Sequence, residues 1–192
     1  MSDHGRLLPA HGGFRRLRSF HVAQCVYDGT VIFCGRFVDK RSRTYDQMVQ
    51  AARSGVQNIA EGSLASATSR KFELKLTGIA RASLGELQQD YEDFLRQRGL
   101  RQWHKDSPEA LAIRQRYKSD ASDQSDRSDQ SDPYAIGSAS PEVAANTLLC
   151  LINQAMFLLA RQLRHLEQKF LDEGGFTERL YRQRRDRRDG VD

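Results

Sequence analysis

Proline is scarce in this chain, four among 192 residues, and so are tryptophan (one), methionine (three) and cysteine (three). So little proline leaves long helices uninterrupted, and with helix-forming residues abundant the expected class is all-α. Cys25, Cys34 and Cys150 are odd in number and far apart, which argues against both a disulfide framework and the close Cys/His pairs of a zinc site. Buried free thiols in a reducing cytoplasm are the expectation. The opening stretch MSDHGRLLPAHGG has no apolar core of a signal peptide. The most apolar window, Thr147–Ala160, falls short of the ~20 residues of a membrane span and carries Asn153 and Gln154, so a cytoplasmic protein without membrane contact is expected.

Catalytic arrangements are missing as well. A ferritin-like metal centre needs Glu-x-x-His pairs on inward faces, and no Glu-x-x-His occurs. The five histidines (His4, His11, His21, His104, His165) are scattered; only His21 and Cys25 stand one helical turn apart, in an apolar context that suits a packed thiol better than a nucleophile. Neither Glu61-Gly62-Ser63 nor Gly174-Gly175 has the length or trailing lysine of a phosphate loop. A non-enzyme is expected, with no cofactor, no metal and no small-molecule substrate.

What the chain does have is charge and helical periodicity. The net charge is +5 and the pI about 9.3, which suggests an acidic partner. Ser119–Pro133 reads SDASDQSDRSDQSDP, five tandem Ser-Asp triplets with nothing to bury, and is expected to be a disordered insertion. Five aspartates against Arg127 make this tract −4, which leaves +9 on the remainder.

Four long helices are predicted at about 19–39, 42–61, 69–98 and 140–172. Residues 1–17 form a flexible lead, 18–175 the helical domain and 176–192 an Arg-rich tail. Ser19 is the expected cap of the first helix, in which Ala23, Val26, Tyr27, Thr30, Phe33, Cys34 and Phe37 share one face. Met48, Ala52, Val56 and Ile59 mark the core face of the second, where small Ala51, Ala52 and Gly55 allow close approach and Gly62 is expected as the left-handed C-terminal glycine. The third carries Phe72, Leu76, Ile79, Ala80, Ser83, Leu84, Leu87, Tyr91, Phe94 and Leu95, with Thr68 or Ser69 as cap, Gly78 and Gly85 reserved for tight crossings and Gly99 as its end. Ser107-Pro108 opens a short helix, and Ser140-Pro141-Glu142 opens the last long one, whose core stripe runs from Ala144 through Leu148, Leu151, Ala155 and Leu159 to Phe170. Second apolar stripes (Val22, Cys25, Gly29, Ile32 on the first helix; Leu149, Ile152, Met156 on the last) exceed one bundle face and point to self-association. The architecture expected is an antiparallel up-down four-helix bundle.

Gln50-Ala51-Ala52-Arg53-Ser54 with Asn58-Ile59-Ala60-Glu61-Gly62, followed by Phe72, Leu76, Ala80, Ser83, Leu84, Glu86 and Leu87, resembles the four-helix-bundle family of the 23S rRNA intervening-sequence proteins, which includes the accessory protein of diversity-generating retroelements. The stretch from SPEVAANTLLCLINQ to EGGFTERLYRQRR is similar to the variant with a four-helix-bundle suffix region. The resemblance spans about residues 14–185, with the Ser-Asp tract as an insertion. It implies a homo-oligomeric ring, a pentamer in the retroelement branch, whose basic surface binds nucleic acid and a reverse transcriptase, and it supplies no catalytic residue.

The residues expected to meet phosphate are Arg182, Arg184, Arg185, Arg187 and Arg188 in the tail, then Lys71, Lys75, Arg41 and Arg43 near the starts of the third and second helices. Each arginine offers a planar fork of donors for a phosphate. Asn58, Glu61 and Gly62 are expected in structural roles, Asn58 bonding across the turn between the second and third helices and Glu61 bonding the amides that open the third. The function expected is a non-enzymatic homo-oligomer binding RNA or DNA without base readout. The alternative is a ring-shaped adaptor for a protein partner, such as a reverse transcriptase or a ribosome-associated protein.

Overall fold

Four serines set where helices begin. In a computed structural model that describes residues 13–120, 132–173 and positions 178, 180, 181, 184, 185 and 188, each of these hydroxyls accepts from the backbone amide three residues on. Ser42 accepts from Tyr45, Ser69 from Phe72, Ser107 from Ala110 and Ser140 from Val143, at 3.2 to 3.3 Å. The helices they open are α2 (Arg43–Ala65), α3 (Arg70–Gln97), α4 (Pro108–Asp120) and α5 (Pro141–Glu173), preceded by α1 (Arg18–Phe37). Pro108 and Pro141 stand at first helical positions, where a missing N–H costs nothing. Ser19 does not cap α1: it lies inside the helix, buried, and its hydroxyl donates to Gln162 Oε1 of α5 at 3.0 Å. The described residues are all-helical apart from turns, with no strand among them.

Each long helix packs on two others: α1 on α2 and α5, α3 on α2 and α5. A few long-range hydrogen bonds show which ends meet. Arg70 Nη1 donates to the Lys169 carbonyl at 3.1 Å, bringing the start of α3 to the end of α5. Arg36 Nη1 donates to the carbonyls of Ile136 and Ala139 at 2.6 and 2.9 Å, bringing the end of α1 to the start of α5. The core between them is apolar and close-packed: Val26, Phe33, Met48, Ile59, Leu84, Leu87, Leu148, Leu151, Ile152 and Leu159 are all essentially inaccessible. Phe33 meets Tyr91 and Phe94 edge-on, with ring centroids 4.9 and 4.8 Å apart. The fully buried Tyr91 hydroxyl donates to Thr30 Oγ1 at 3.0 Å, which donates in turn to the Val26 carbonyl. Burial raises Tyr91 well above its ordinary pKa, so the ring stays neutral.

Glycine roles differ from the sequence expectation. Gly62 is not a left-handed terminator; α2 runs on to Ala65. A β-carbon at Gly62 would come within 3.3 Å of Leu76 Cβ and 3.4 Å of the Glu73 carbonyl, so its small size lets α2 and α3 touch. Gly55 serves the same end against Leu84 Cδ2, at 2.8 Å. Gly78 and Gly85 occupy no tight crossing: nothing lies within 4 Å of a β-carbon at Gly78, and only Met156 Cε, at 3.9 Å, near one at Gly85. Gly99 takes the left-handed conformation (φ 63°) that ends α3. Phe72 and Ile79, expected in the core, are 48% and 38% exposed, because they sit at one edge of α3 rather than on the face that carries Leu76, Ala80, Leu84 and Leu87.

The second apolar stripes are largely covered by the chain itself. Val22, Gly29, Leu149 and Ile152 are buried, while Cys25, Ile32 and Met156 are half-buried. Part of the cover is the turn segment 132–140, which the sequence pattern does not reveal. Asp132 holds it shut by accepting from the amides of Ile136 and Gly137 at 2.7 and 2.6 Å, and Ile136 packs beside Gly29, Leu148 and the rest of the core. Tyr117 and Ile113 of α4 join the same cluster. By length and composition α5 could also cross a bilayer; here Leu148, Leu151, Ile152, Ala155 and Leu159 lie in the protein core, while Val143, Phe157 and Leu171 are exposed. Residues 1–12 and 121–131, which carry most of the expected lead and Ser-Asp insertion, lie outside the described residues.

Candidate nucleic-acid interface

Lys71 and Lys75 are exposed in the first turns of α3, and the Arg70–Lys169 bond sets that end of α3 beside the end of α5. Arg164 and Lys169 are exposed on α5 there, and the C-terminal arginines follow from the same end of the chain. Arg184, Arg185 and Arg188 are helical and exposed; Arg182 and Arg187 lie outside the described residues. The start of α1 joins this end through the Ser19–Gln162 bond, adding exposed Arg15, Arg16 and Arg18. Those three were not among the sequence candidates, although the run FRRLR ahead of the first apolar stripe was a readable signal. The end is not purely cationic. Half-buried Glu73 is raised above the ordinary carboxylate range by burial, against the pull of Lys169 and Arg70, and Glu167 and Asp172 are exposed on α5.

Arg41 and Arg43 are exposed but belong elsewhere. They stand at the start of α2, whereas Gly62 near its end meets Leu76 of α3, so the length of this 23-residue helix, about 35 Å, separates them from Lys71 and Lys75. The sequence grouped both pairs as helix starts; the contact of the end of α2 with the start of α3 separates them.

The motif residues are structural in a different way from that expected. Asn58 Nδ2 donates to the carbonyl and hydroxyl of Ser54, 2.8 and 3.0 Å away within α2, and reaches α3 only through the Ser54–Ser83 hydroxyl contact of 3.0 Å. Glu61 is exposed on α2, and the opening of α3 is capped by Ser69 instead.

Two of the three thiols are held in the protonated form by burial. Burial, followed by the charge of Asp90, pushes the Cys34 thiol up to about 12, and burial also raises Cys150 against the opposing pull of Arg114. His21 Nε2 is hydrogen-bonded to the Arg15 carbonyl at 2.6 Å. Among the described residues no group of three or more His, Cys, Asp or Glu side chains is placed to hold a metal ion. No family model, curated protein or solved structure matches the chain.

Proposed function

We propose that the four long helices form an antiparallel up-down four-helix bundle and that the protein is a non-enzymatic binder of RNA or DNA, engaging phosphates through its basic end. The observation that carries this reading is the Arg70–Lys169 contact: it gathers Lys71, Lys75, Arg164 and Lys169 at the end from which the C-terminal arginines extend. Cations gathered on one side of a molecule release counterions from a polyanion together, so affinity falls steeply with salt, by a log–log slope of about 0.9 per phosphate contacted on duplex DNA. The reading agrees with the resemblance of Gln50–Gly62 and Phe72–Leu87 to the intervening-sequence and retroelement accessory proteins.

Self-association into a ring belongs to the same proposal, but its support has shifted. The second stripes of α1 and α5 no longer argue for it, because the chain covers most of them itself; the resemblance does. The test of binding is nuclease-free purification followed by titration with a short duplex and a single strand. The 260/280 absorbance ratio should show co-purified nucleic acid, and Lys71→Glu/Lys75→Glu should weaken duplex binding about tenfold or more. Equal affinity in that variant, with its fold intact, overturns the placement of the interface.

A further inference from the structure

Away from the basic end, the outer groove between α2 and α3 opens into a cleft of about 690 Å³. Asp46, Gln47 and Gln50 wall it from α2, and Glu86, Gln89 and Asp90 from α3. Between them Ser54 and the buried Ser83 join the helices by their hydroxyls. Arg43 is the one cation among its lining residues, so the cleft carries −2 within a chain whose total is +5. Its shape and charge match something present elsewhere in the chain.

We propose that this cleft binds an arginine-bearing helix, and that its occupant is the segment around Arg184–Arg188 of a second copy of the chain. A guanidinium has five N–H donors and no acceptor, and the cleft walls offer carboxylates and carboxamide oxygens that can receive them. The spacing agrees as well. Glu86 and Asp90 are one helical turn apart on α3, while Arg184 and Arg188 are helical, exposed and also one turn apart, so two helices lying side by side bring both pairs together. Burial and the neighbouring charges of Asp93 and Glu86 already hold the Asp90 carboxyl above its ordinary range, an imbalance that an incoming cation relieves.

The occupant comes from another copy because of where the helices end. α5 finishes beside Arg70, whereas Glu86 lies sixteen residues further along α3, roughly 24 Å back from that end. To reach the cleft the tail of the same copy would have to turn back along α3, while the tail of a second copy can enter from outside without reversing. A tail held in a cleft is also withheld from phosphate, so the contact and nucleic acid compete for the same arginines.

The test uses full-length, nuclease-treated protein, so its result does not depend on the nucleic-acid reading. Benzoylphenylalanine is placed at position 47, on the cleft wall, in a mixture of unlabelled and ¹⁵N-labelled copies, and the products of irradiation are mapped. The expected result is crosslinks joining the cleft of one isotope to residues 178–188 of the other. Their yield falls at least about tenfold in Glu86→Gln/Asp90→Asn, and again in Arg184→Gln/Arg188→Gln, as the loss of two charge-assisted contacts requires. All these positions face solvent or the open cleft, and an unchanged circular dichroism spectrum with a melting temperature no lower than that of the parent confirms that the variants fold. Crosslinks confined to one isotope, a yield indifferent to either pair of substitutions, or no crosslink to the tail overturns the proposal.

Discussion

Asp90 shows how a single side chain can work against the fold it belongs to. Its carboxyl is raised by burial first and then by Asp93 and Glu86, so the folded state holds its proton more tightly than the unfolded chain does. The stability linked to that proton is fully present below the unfolded-state pKa and is lost as pH rises through the higher folded-state value. At neutral pH Asp90 is therefore a liability. Asp90→Asn is expected to raise the urea midpoint at pH 7, and the advantage should vanish near pH 3, where the aspartate is protonated in both states. The glycines give a second contrast at this scale. Gly78→Ala adds a β-carbon into open space in mid-helix and should stabilise by up to about 1 kcal/mol. Gly62→Ala presses on Leu76 Cβ and the Glu73 carbonyl at 3.3 and 3.4 Å, so the backbone contact between α2 and α3 must widen. The two variants should move the melting temperature in opposite directions, which differential scanning calorimetry would show.

At the level of elements, what could be read from the sequence was what is encoded locally. Ser69, Ser107-Pro108 and Ser140-Pro141 announce helix starts because a hydroxyl reaches only three residues, and Gly99 announces an end because its conformation suits glycine. The stripe through Leu76, Ala80, Leu84, Leu87 and Tyr91 was legible for the same reason: a buried face imposes its own period. The segment 132–140 was not, since Tyr134 and Ile136 are too few to establish a period and follow a polar tract. Its order comes from polar contacts, those of Arg36 with the Ile136 and Ala139 carbonyls and those of the Asp132 carboxylate with two amides. Asp132→Ala removes the acceptor for two backbone amides and should cost about 1–3 kcal/mol, with greater binding of a hydrophobic dye as Ile136 loosens from α1. The core makes the larger demand. Leu84 is inaccessible and wedged against Gly55, so Leu84→Asp buries an unpaired carboxylate and should abolish the cooperative melt. A native far-UV spectrum and melting temperature in that variant would remove Leu84 from the core.

Over the whole molecule, charge matters by where the helix order delivers it. The sequence offers two pairs of cations at helix starts, Arg41 with Arg43 and Lys71 with Lys75, and nothing local distinguishes them. Gly62 near the end of α2 meets Leu76 near the start of α3, so the length of α2 separates the two pairs, and the second lies at the end that holds Arg164 and Lys169. Arg43 instead lines the cleft with Asp46, Glu86 and Asp90, where three carboxylates outnumber it. If the proposed interface is correct, charge reversal at the two ends has unequal effects. Lys71→Glu/Lys75→Glu should lower duplex affinity and reduce the slope of log affinity against log salt by about one to two units, because up to two phosphate contacts are removed. Arg41→Glu/Arg43→Glu changes the net charge by the same amount and should leave that slope nearly unchanged, with only a small uniform loss from the weaker field. Truncation after Gly175 extends the comparison to the tail: a slope reduced further places the arginines on the phosphates, and a slope equal to that of the intact chain removes them from the interface. Because the first two variants are matched in charge, equal losses in both would mean that net charge alone drives binding and that the basic end has no special part in it.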